Sequence, residues 1–377
     1  MNYSFKSVNQ LIIEDGGLAR LGAIVFDRFG HSRVMIVTDS GLVKLGLVTK
    51  AEAALAEAGH VVSIYDGVEP DPAETIIIEA GARAREYKAS VIIGLGGGSS
   101  IDVAKLASVL ANGDQPISAM YGLGNITGER LPLIQIPTTS GSGSEVTSVA
   151  VVTIGADKKM GVGSPVLTAD IALLDAELTL GLPKNISAYT AIDAMVHAIE
   201  AYTSKIKKNP VSDMYAREAL GHIGLNFKTI CDDPSNIKAR RHVLLGACLA
   251  GAAFDNAPVA AVHALAYPIG AIHHVPHGLS NALMLPHVLR FNMPVAERLY
   301  AELAESIGLE ASGEALVTWL CDLIQYSGLP MQLRDVGIDQ SGLARLAADS
   351  QLQTRLLINN PVEVTAADAI KLYEAAW

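Results

Sequence analysis

Short apolar runs alternate with longer stretches of helical periodicity through the first half of the chain. Strand-length runs rich in valine and isoleucine occupy residues 34–38, 61–65, 91–95 and 133–137. Stretches such as 42–58 and 73–87, with helical character, lie between them. Because successive parallel strands need a crossover connection, usually a helix, this alternation predicts βαβ units with helices on both faces of a parallel sheet.

The pattern changes near residue 180. Two further apolar runs, 149–153 and 171–174, complete the first half before Gly181-Leu-Pro183 interrupts it. Beyond this point period-2 alternation almost vanishes, and helical periodicity continues to the end. The sequence therefore predicts two domains, an α/β domain over residues 1–180 and an all-helical domain over residues 181–377.

Composition narrows the class of protein. Half of the 377 residues are hydrophobic and 18% are charged, which is typical of a globular protein. The net charge of −11 argues against nucleic acid or an anionic membrane as a partner. The longest apolar run, 243–254, is short of the roughly 20 residues that span a bilayer, so it predicts a buried helix.

The cysteines and the N-terminal residues bear on the compartment. Cys231, Cys248 and Cys321 are too few for a disulfide framework, and the first residues lack the apolar core of a signal peptide. We therefore expect reduced thiols in a cytoplasmic protein.

A glycine-rich loop follows the run at 91–95. It reads Gly94-Leu-Gly96-Gly97-Gly98-Ser99-Ser100-Ile-Asp102 and leads into a predicted helix at 103–110. Glycines allow close backbone approach, and free N–H groups at a helix start suit a pyrophosphate. Ser99 stands where the usual dinucleotide fingerprint has its third glycine, and no Walker lysine follows. A tight strand-to-helix turn without a ligand remains the alternative.

Two further features end predicted strands. The loop Pro137-Thr138-Thr139-Ser140-Gly141-Ser142-Gly143-Ser144-Glu145 offers hydroxyls to phosphate or ribose, although a flexible surface loop would look the same. Open α/β sheets bind ligands at this end of their strands, which favours the ligand interpretation. Asp39 can accept hydrogen bonds from ribose hydroxyls and would repel a 2′-phosphate, favouring NAD over NADP. Its alternative role is to cap the next helix.

Four residues of the second half form a candidate metal site. Asp193 and His197 stand four apart in a helical segment, so they share one face. His263 and His277 follow in an otherwise apolar region, where histidines need partners. Three imidazoles and one carboxylate suit Fe(II) or Zn(II). Taken singly, the first pair is a common helix-surface pattern and His263 is typical of a hydrogen-bonded core histidine.

Together these segments resemble the iron-dependent, or group III, alcohol dehydrogenase family. The motifs that match, in the family's order, are Gly96-Gly-Gly-Ser99-x-x-Asp102-x-x-Lys105, Pro137-Thr-Thr-Ser-Gly-Ser-Gly-Ser-Glu145, Asp193-Ala-Met-x-His197-Ala-Ile-Glu200, His263-Ala-Leu-Ala-x-Pro268 and Pro276-His277-Gly278. The likeness covers nearly the whole chain.

The resemblance implies a Rossmann-like nucleotide-binding domain, a helical metal-binding domain, an active site in the cleft between them, and a homodimer. It implies metal ligation by Asp193, His197, His263 and His277. The residues it places at the cofactor are Asp39, Gly96, Gly97, Gly98, Ser99, Asp102, Thr138, Thr139, Ser142 and Lys159.

One position departs from the family pattern. Many members carry a second histidine four residues after the third metal ligand, and Tyr267 stands there in this chain. That histidine is thought to contact substrate or relay a proton, whereas the reference pKa of tyrosine is about 10. Tyr267 and the nearby His273 are therefore both candidates for the catalytic group.

The expected reaction is oxidation of a small primary alcohol, or reduction of an aldehyde, with NAD(H) and iron, zinc being possible. A bound metal would polarise the alcohol oxygen while the nicotinamide takes the hydride. The alternatives among enzymes are a dehydroquinate-synthase type, which shares this architecture, and a relative of maleylacetate reductase. The absence of lysine and arginine from residues 243–287 argues against a phosphorylated substrate. A non-catalytic nucleotide-binding scaffold is the alternative from another class.

Overall fold

A computed structural model describes residues 3–155 and 158–377. Met1 and Asn2, which begin the segment without a signal-peptide core, lie outside the described residues. The chain divides into two compact units. An α/β unit contains residues 7–139 and 144–180, and a helical unit contains residues 181–377 together with Ser140–Gly143 and residues 3–6. The division at residue 181 lies beside the predicted domain boundary, but the segment Ser140–Gly143 groups with the helical unit.

The α/β unit is built on a parallel sheet of six strands, in the order β1-β9-β6-β4-β2-β3. Its strands are β1 (Gln10–Ile13), β2 (Arg33–Val37), β3 (Val61–Tyr65), β4 (Val91–Gly96), β6 (Leu133–Pro137) and β9 (Ile171–Leu174). Every described pair in this sheet is parallel. The residues of β4 and β6 are buried throughout, as expected for inner strands covered on both faces. The predicted parallel sheet is confirmed.

Helices connect these strands. They are α1 (Leu21–Phe29), α2 (Ser40–Lys44), α3 (Leu47–Glu57), α4 (Glu74–Tyr87) and α5 (Gly98–Asn112). The single helix expected over 42–58 is divided in two, because Gly46 adopts left-handed backbone angles with φ 76°. Helix α5 begins at Gly98, earlier than the expected residue 103, so the glycine-rich loop itself forms the first helical turn.

One predicted strand lies outside the parallel sheet. A second sheet has the order β5-β8-β7, with β5 (Gly122–Leu123), β7 (Val149–Ile154) and β8 (Lys158–Gly163). Strand β7 pairs antiparallel with β8, from Val149 opposite Gly163 to Ile154 opposite Lys158. Only a few residues separate the two strands in sequence, and a short connection permits antiparallel but not parallel pairing.

The second unit is helical, as predicted. Its helices are α6 (Lys184–Thr203), α7 (Pro210–Asp232), α8 (Ile237–Asn256), α9 (Ala261–His273), α10 (His277–Ser306), α11 (Gly313–Ser327), α12 (Leu343–Ser350), α13 (Thr354–Leu357) and α14 (Ala366–Ala376). Helix α6 is buried at every position from residue 191 to 203 and packs against α7, α8 and α10. A helix buried on all sides brings polar side chains into the core, where they need partners.

Within the described residues, no single helix is long and apolar enough to cross a membrane. Helices α8 and α9 reach the length and apolar composition of a membrane span only when they are taken together, and the chain bends by 108° between them.

Candidate metal centre and nucleotide site

Three helices bring the predicted metal ligands together in the helical unit. Asp193 and His197 lie one turn apart on α6, and each is only 5% exposed. His263 lies in the first turn of α9 and is 2% exposed. His277 is the first residue of α10. As their spacing of four residues predicts, Asp193 and His197 lie on the same face of α6, and this face is buried.

The donor atoms converge on one carboxylate oxygen. Asp193 Oδ1 lies 3.7 Å from His277 Nε2, 3.9 Å from His263 Nε2 and 4.0 Å from His197 Nε2. Asp193, His263 and His277 each offer one ligand atom within 4.8 Å of the others, and His197 lies outside this tighter group. The rings of His197 and His263 stack with their centroids 4.7 Å apart. The ring of Phe254 also stacks on His197, with the two centroids 4.5 Å apart.

Asn281 marks the point where the donors meet. Its amide nitrogen donates to Asp193 Oδ1 at 2.5 Å and lies 3.3 Å from Nε2 of both His263 and His277. An amide NH2 group has two N–H donors, so besides the Asp193 carboxylate it can donate to one of these two Nε2 atoms. The other amide atom, Asn281 Oδ1, is buried and has no hydrogen-bond partner among the described residues.

The electrostatic setting keeps the cluster in the form that binds cations. Burial opposes ionisation of Asp193, but the facing histidines and the Asn281 amide outweigh it, and the pKa of Asp193 falls below its usual range. Burial lowers the pKa of His197 to about 4, against the opposing effect of Asp193. The Asp193 carboxylate is thus charged and the His197 imidazole neutral near neutral pH, as metal coordination requires.

The donor set fits a divalent metal. A tetrahedral ion with bonds of about 2.1 Å holds its ligand atoms about 3.4 Å apart. The observed separations from Asp193 Oδ1, 3.7 to 4.0 Å, need contraction by only a few tenths of an ångström. One carboxylate oxygen and three imidazole nitrogens are also the mixed oxygen and nitrogen donors that such an ion accepts.

Glu200 is a second buried carboxylate beside the cluster. It lies one turn after His197 on α6 and is 4% exposed. Its carboxylate accepts from the backbone N–H groups of Ala260 and Val262, and Oε2 lies 2.6 Å from His263 Nδ1. Asp193 and Glu200 therefore contact opposite nitrogens of the His263 ring.

The two candidate proton-handling residues have different surroundings. The Tyr267 ring lies 5.6 Å from the His277 ring and 6.5 Å from the His263 ring. His273 stands ten residues after His263, which is about 15 Å along a helix. Burial and nearby Arg345 lower the pKa of His273. The structure brings Tyr267 to the metal-ligand cluster and places His273 toward the end of α9.

The glycine-rich loop lies at the carboxyl end of β4, in the α/β unit. Strand β2 leads to β3 on one side of the sheet, whereas β4 leads towards β6 on the other side. The ends of β2 and β4 therefore flank a topological switch point, the usual ligand position in open α/β sheets. Gly97 is the N-cap of α5, and among the described residues no side chain caps this helix start. Its first N–H groups are accordingly available to a pyrophosphate.

Close contacts explain the glycine at the strand end. Gly96 has φ 156°, and a β-carbon there would lie 2.5 Å from Ser100 Oγ. Thr138 donates its backbone N–H to the Gly96 carbonyl at 2.9 Å, joining the end of β6 to that of β4. The side chain of Thr139 lies beside Gly97, since a β-carbon at Gly97 would lie 3.5 Å from its methyl group. The structure thus brings Gly96, Gly97, Thr138 and Thr139 together.

Asp39 follows β2 and takes the capping role that the sequence left open. Its Oδ1 accepts from the backbone N–H groups of Gly41 and Leu42, at 2.9 and 3.1 Å, so it caps α2. It also stands at the switch point beside the glycine-rich loop, since β2 pairs with β4. A capping oxygen leaves the second carboxylate oxygen for another partner, so the two roles are compatible.

Lys159 and Asp102, which were expected at the cofactor, form an ion pair or hydrogen bonds with other residues of the chain. Lys159 pairs with Asp71 at 2.6 Å. Asp102 accepts from Ser144 Oγ and from the Val151 backbone N–H, at 2.5 and 2.9 Å. The two Asp102 contacts link α5 to Ser144, in the loop 137–145, and to strand β7.

The remaining expected residues are divided between the units. Gly98 and Ser99 lie in the first turn of α5, whereas Ser142 belongs to the helical unit.

Sequence reasoning missed Glu200 and Asn281 as members of the metal-ligand cluster. A signal for both was present, because Glu200 follows Asp193 by seven residues and Asn281 follows His277 by four, which are same-face spacings on a helix. Phe254 was also missed, and nothing in its local pattern distinguishes it from other apolar residues of α8.

Both halves of the chain match one known protein family. Residues 9–176 match the family described as iron-containing alcohol dehydrogenase, and residues 187–377 match the C-terminal part of the Fe-containing alcohol dehydrogenase family. Long-chain-alcohol dehydrogenase 1 of Geobacillus thermodenitrificans is 38% identical over 363 residues, covering 93% of this chain and 91% of that protein.

Solved structures extend the likeness. The crystal structure of a 1,3-propanediol oxidoreductase matches with a TM-score of 0.95 and 30% identity, covering all of both chains. A sulfoacetaldehyde reductase from Bifidobacterium kashiwanohense, solved in complex with NAD+, matches with a TM-score of 0.91 and 28% identity, covering 100% of this chain and 99% of that one. These matches confirm the expected fold and enzyme class, and the chain belongs to the iron-containing alcohol dehydrogenase family.

Proposed function

We propose that the protein is an iron-dependent, NAD(H)-linked enzyme that interconverts small primary alcohols and their aldehydes. The observation that carries the proposal is the convergence of three imidazole Nε2 atoms on Asp193 Oδ1, at 3.7 to 4.0 Å. Such a set of borderline nitrogen donors with one carboxylate suits Fe(II), and also accepts Zn(II).

Asp193, His197, His263 and His277 are the proposed metal ligands. When bound, the metal supplies Lewis-acid polarisation of the substrate oxygen. Among the proposed ligands, Asp193 carries the one negative charge. Residues 243–287, which include His263 and His277, contain no lysine or arginine. Residues 243–287 therefore offer no cationic side chain to a phosphorylated substrate, which favours a neutral alcohol or aldehyde.

The proposed cofactor site uses the backbone of the glycine-rich loop. The uncapped first turn of α5, from Gly98, would bind the pyrophosphate through its N–H groups, and its dipole favours the negative charge. Asp39 would accept from the adenosine ribose hydroxyls and disfavour a 2′-phosphate. NAD carries the hydride, so these residues only bind and orient it.

Tyr267 is the proposed proton-handling side chain. Its ring lies 5.6 Å from the ring of His277, whereas His273 stands in the last turn of α9. A phenol can hold a substrate oxygen by hydrogen bonding and pass a proton to or from it. We keep His273 as the alternative, to be separated from Tyr267 by mutagenesis.

We further propose a cytoplasmic location and a homodimer. Cys231, Cys248 and Cys321 form no disulfide among the described residues, which agrees with a reducing compartment. The dimer rests on the family resemblance alone, and sedimentation of the purified protein tests it.

A direct experiment combines metal analysis with turnover. Protein purified without added metal is analysed for iron and zinc, then assayed for NADH formation on a panel of primary alcohols of increasing chain length. We expect NAD-dependent turnover that is lost with a chelator and restored by ferrous iron. Full turnover after complete metal removal would overturn the proposal.

A further inference from the structure

Glu200 contacts both the start of helix α9 and the ring of the proposed metal ligand His263. Glu200 is buried on α6, and both of its carboxylate oxygens are engaged. Oε1 accepts from the Val262 N–H at 2.6 Å, and Oε2 accepts from the Ala260 N–H at 2.9 Å. Oε2 also lies 2.6 Å from His263 Nδ1.

The two backbone bonds make Glu200 the cap of helix α9. Ala260 is the N-cap residue of α9, and it has no side chain that can accept a hydrogen bond. Glu200 supplies that acceptor from another helix and places a negative charge at the positive end of the α9 dipole. This cap fixes where the first turn of α9, and therefore His263, lies relative to α6.

The third contact decides where the His263 proton resides. A carboxylate that already accepts two N–H groups presents an acceptor to the ring, so Nδ1 is the donor. A neutral imidazole has one N–H, and Nε2 then carries the lone pair. That Nε2 lies 3.9 Å from Asp193 Oδ1, on the side where the other donors converge.

We infer that Glu200 is a positioning residue of the metal centre. It caps α9 and holds His263 in the Nδ1–H tautomer, so that Nε2 is offered to the metal. The inference rests on the proposed metal site, and it assigns Glu200 no contact with substrate or cofactor. Carboxylates that accept from a ligating histidine typically contribute ten- to a hundredfold to metal affinity.

Glutamine cannot reproduce these three bonds. If its amide oxygen accepts from Ala260 and His263, its NH2 group faces the Val262 N–H. If the oxygen instead accepts from Val262, the NH2 group faces His263 Nδ1 and favours the proton on Nε2. Glu200→Gln therefore removes a required acceptor in either orientation while preserving side-chain volume.

The test compares zinc affinity in three full-length proteins, by competition with a chromogenic chelator. They are the parent, Glu200→Gln and Glu297→Gln. Glu297 is a matched control, because it lies in the same unit and also accepts a backbone N–H at a helix start, that of Gly313. It stands twenty residues after His277 on α10, or about 30 Å along the helix.

We expect Glu200→Gln to lower zinc affinity by about ten- to a hundredfold and Glu297→Gln to leave it unchanged. Circular dichroism of all three verifies folding. Parent-like zinc affinity in a folded Glu200→Gln protein would overturn the inference while leaving the proposed function intact. A parent that neither binds metal nor oxidises alcohols would instead overturn the proposed function.

A second measurement needs no variant at position 200. Long-range ¹H–¹⁵N correlation spectra of the metal-free parent, labelled with ¹⁵N-histidine, distinguish the two tautomers. The His263 signal is assigned from its absence in His263→Gln. A proton on Nδ1 supports the inference, and a proton on Nε2 overturns it even if Glu200→Gln fails to fold.

Discussion

Gly278 lies so close to Tyr189 that a β-carbon at Gly278 would stand 2.4 Å from the Tyr189 carbonyl oxygen. The same β-carbon would lie 3.2 Å from Cβ of Asp193. Glycine therefore permits α10 to begin directly against α6, and this approach brings His277 to Asp193. The geometry of the metal-ligand cluster depends on the absence of one side chain.

Gly278→Ala is expected to destabilise the protein by about 1–3 kcal/mol, the usual cost of overpacking, and to weaken metal binding. The reason is that α10 must move away from α6 to relieve the clash. Thermal unfolding and metal titration measure the two effects.

Gly221→Ala is the matched control, because a β-carbon at Gly221 on α7 meets no atom of the described part of the chain within 4 Å. It should stabilise the protein by about 0.5–1 kcal/mol, the gain of alanine over glycine in a helix. If Gly278→Ala retained the stability and metal affinity of the parent, the α6–α10 contact would be more tolerant than its distances imply.

His263→Ala and His277→Ala are each expected to lose most of the metal and nearly all turnover, with NAD binding largely kept. Their side chains lie in the helical unit, whereas the glycine-rich loop lies in the α/β unit. Metal analysis, alcohol oxidation and NAD titration measure the three properties. The exposed His242 provides a control, and His242→Ala should match the parent. Full metal content and normal turnover in either ligand variant would refute the ligand assignment.

Metal removal is expected to lower the unfolding temperature of the parent. A ligand that binds only the folded state stabilises it by about 2.7 kcal/mol at a concentration 100 times its Kd. Scanning calorimetry with and without a chelator measures this effect. The same treatment should hardly change the His277→Ala protein, which has little metal to lose. An equal chelator effect on both proteins would place the stabilising ion elsewhere.

Asp39→Gly is expected to raise the kcat/KM ratio of NADP to NAD, because it removes a negative charge that would face the 2′-phosphate. Asp39→Asn separates charge from capping, since asparagine caps as well as aspartate does. Both variants should shift the cofactor ratio. If neither shifts it, Asp39 only caps α2.

Tyr267→Phe is expected to lower kcat/KM by about ten- to a hundredfold, equivalent to about 1.4–3 kcal/mol, with metal content unchanged. Phenylalanine keeps the packing beside His277 and removes only the hydroxyl. Steady-state kinetics of Tyr267→Phe and His273→Ala across a range of pH compare the two candidates. Parent-like kinetics of Tyr267→Phe would reduce Tyr267 to a packing role.

Much of this architecture was predictable from periodicity. The buried runs at 91–95 and 133–137 became neighbouring inner strands, and the spacing of Asp193 and His197 placed both on one helix face. Such features are local, because a strand or a helix face is encoded within a few consecutive residues.

Features that depend on distant partners were not predictable. The run at 149–153 has the composition of any other strand, and only its pairing with β8 puts it in a second sheet. Lys159 was expected at the cofactor, and its ion pair with Asp71 joins positions far apart in sequence. Glu200 likewise contacts the start of α9, some sixty residues away along the chain. A single sequence does not show which distant residues will meet.

The segment Ser140–Gly143 affects how this fold can be recombined. It packs within the helical unit, where a β-carbon at Gly251 would lie 2.6 Å from the Gly143 carbonyl oxygen and one at Gly141 would lie 2.7 Å from Thr190. A chimaera spliced at residue 180 would inherit this segment from one parent and its packing partners from the other. Productive exchange of halves between relatives therefore requires parents that both keep glycine at positions 143 and 251, or a splice that transfers residues 140–143 together with the helices.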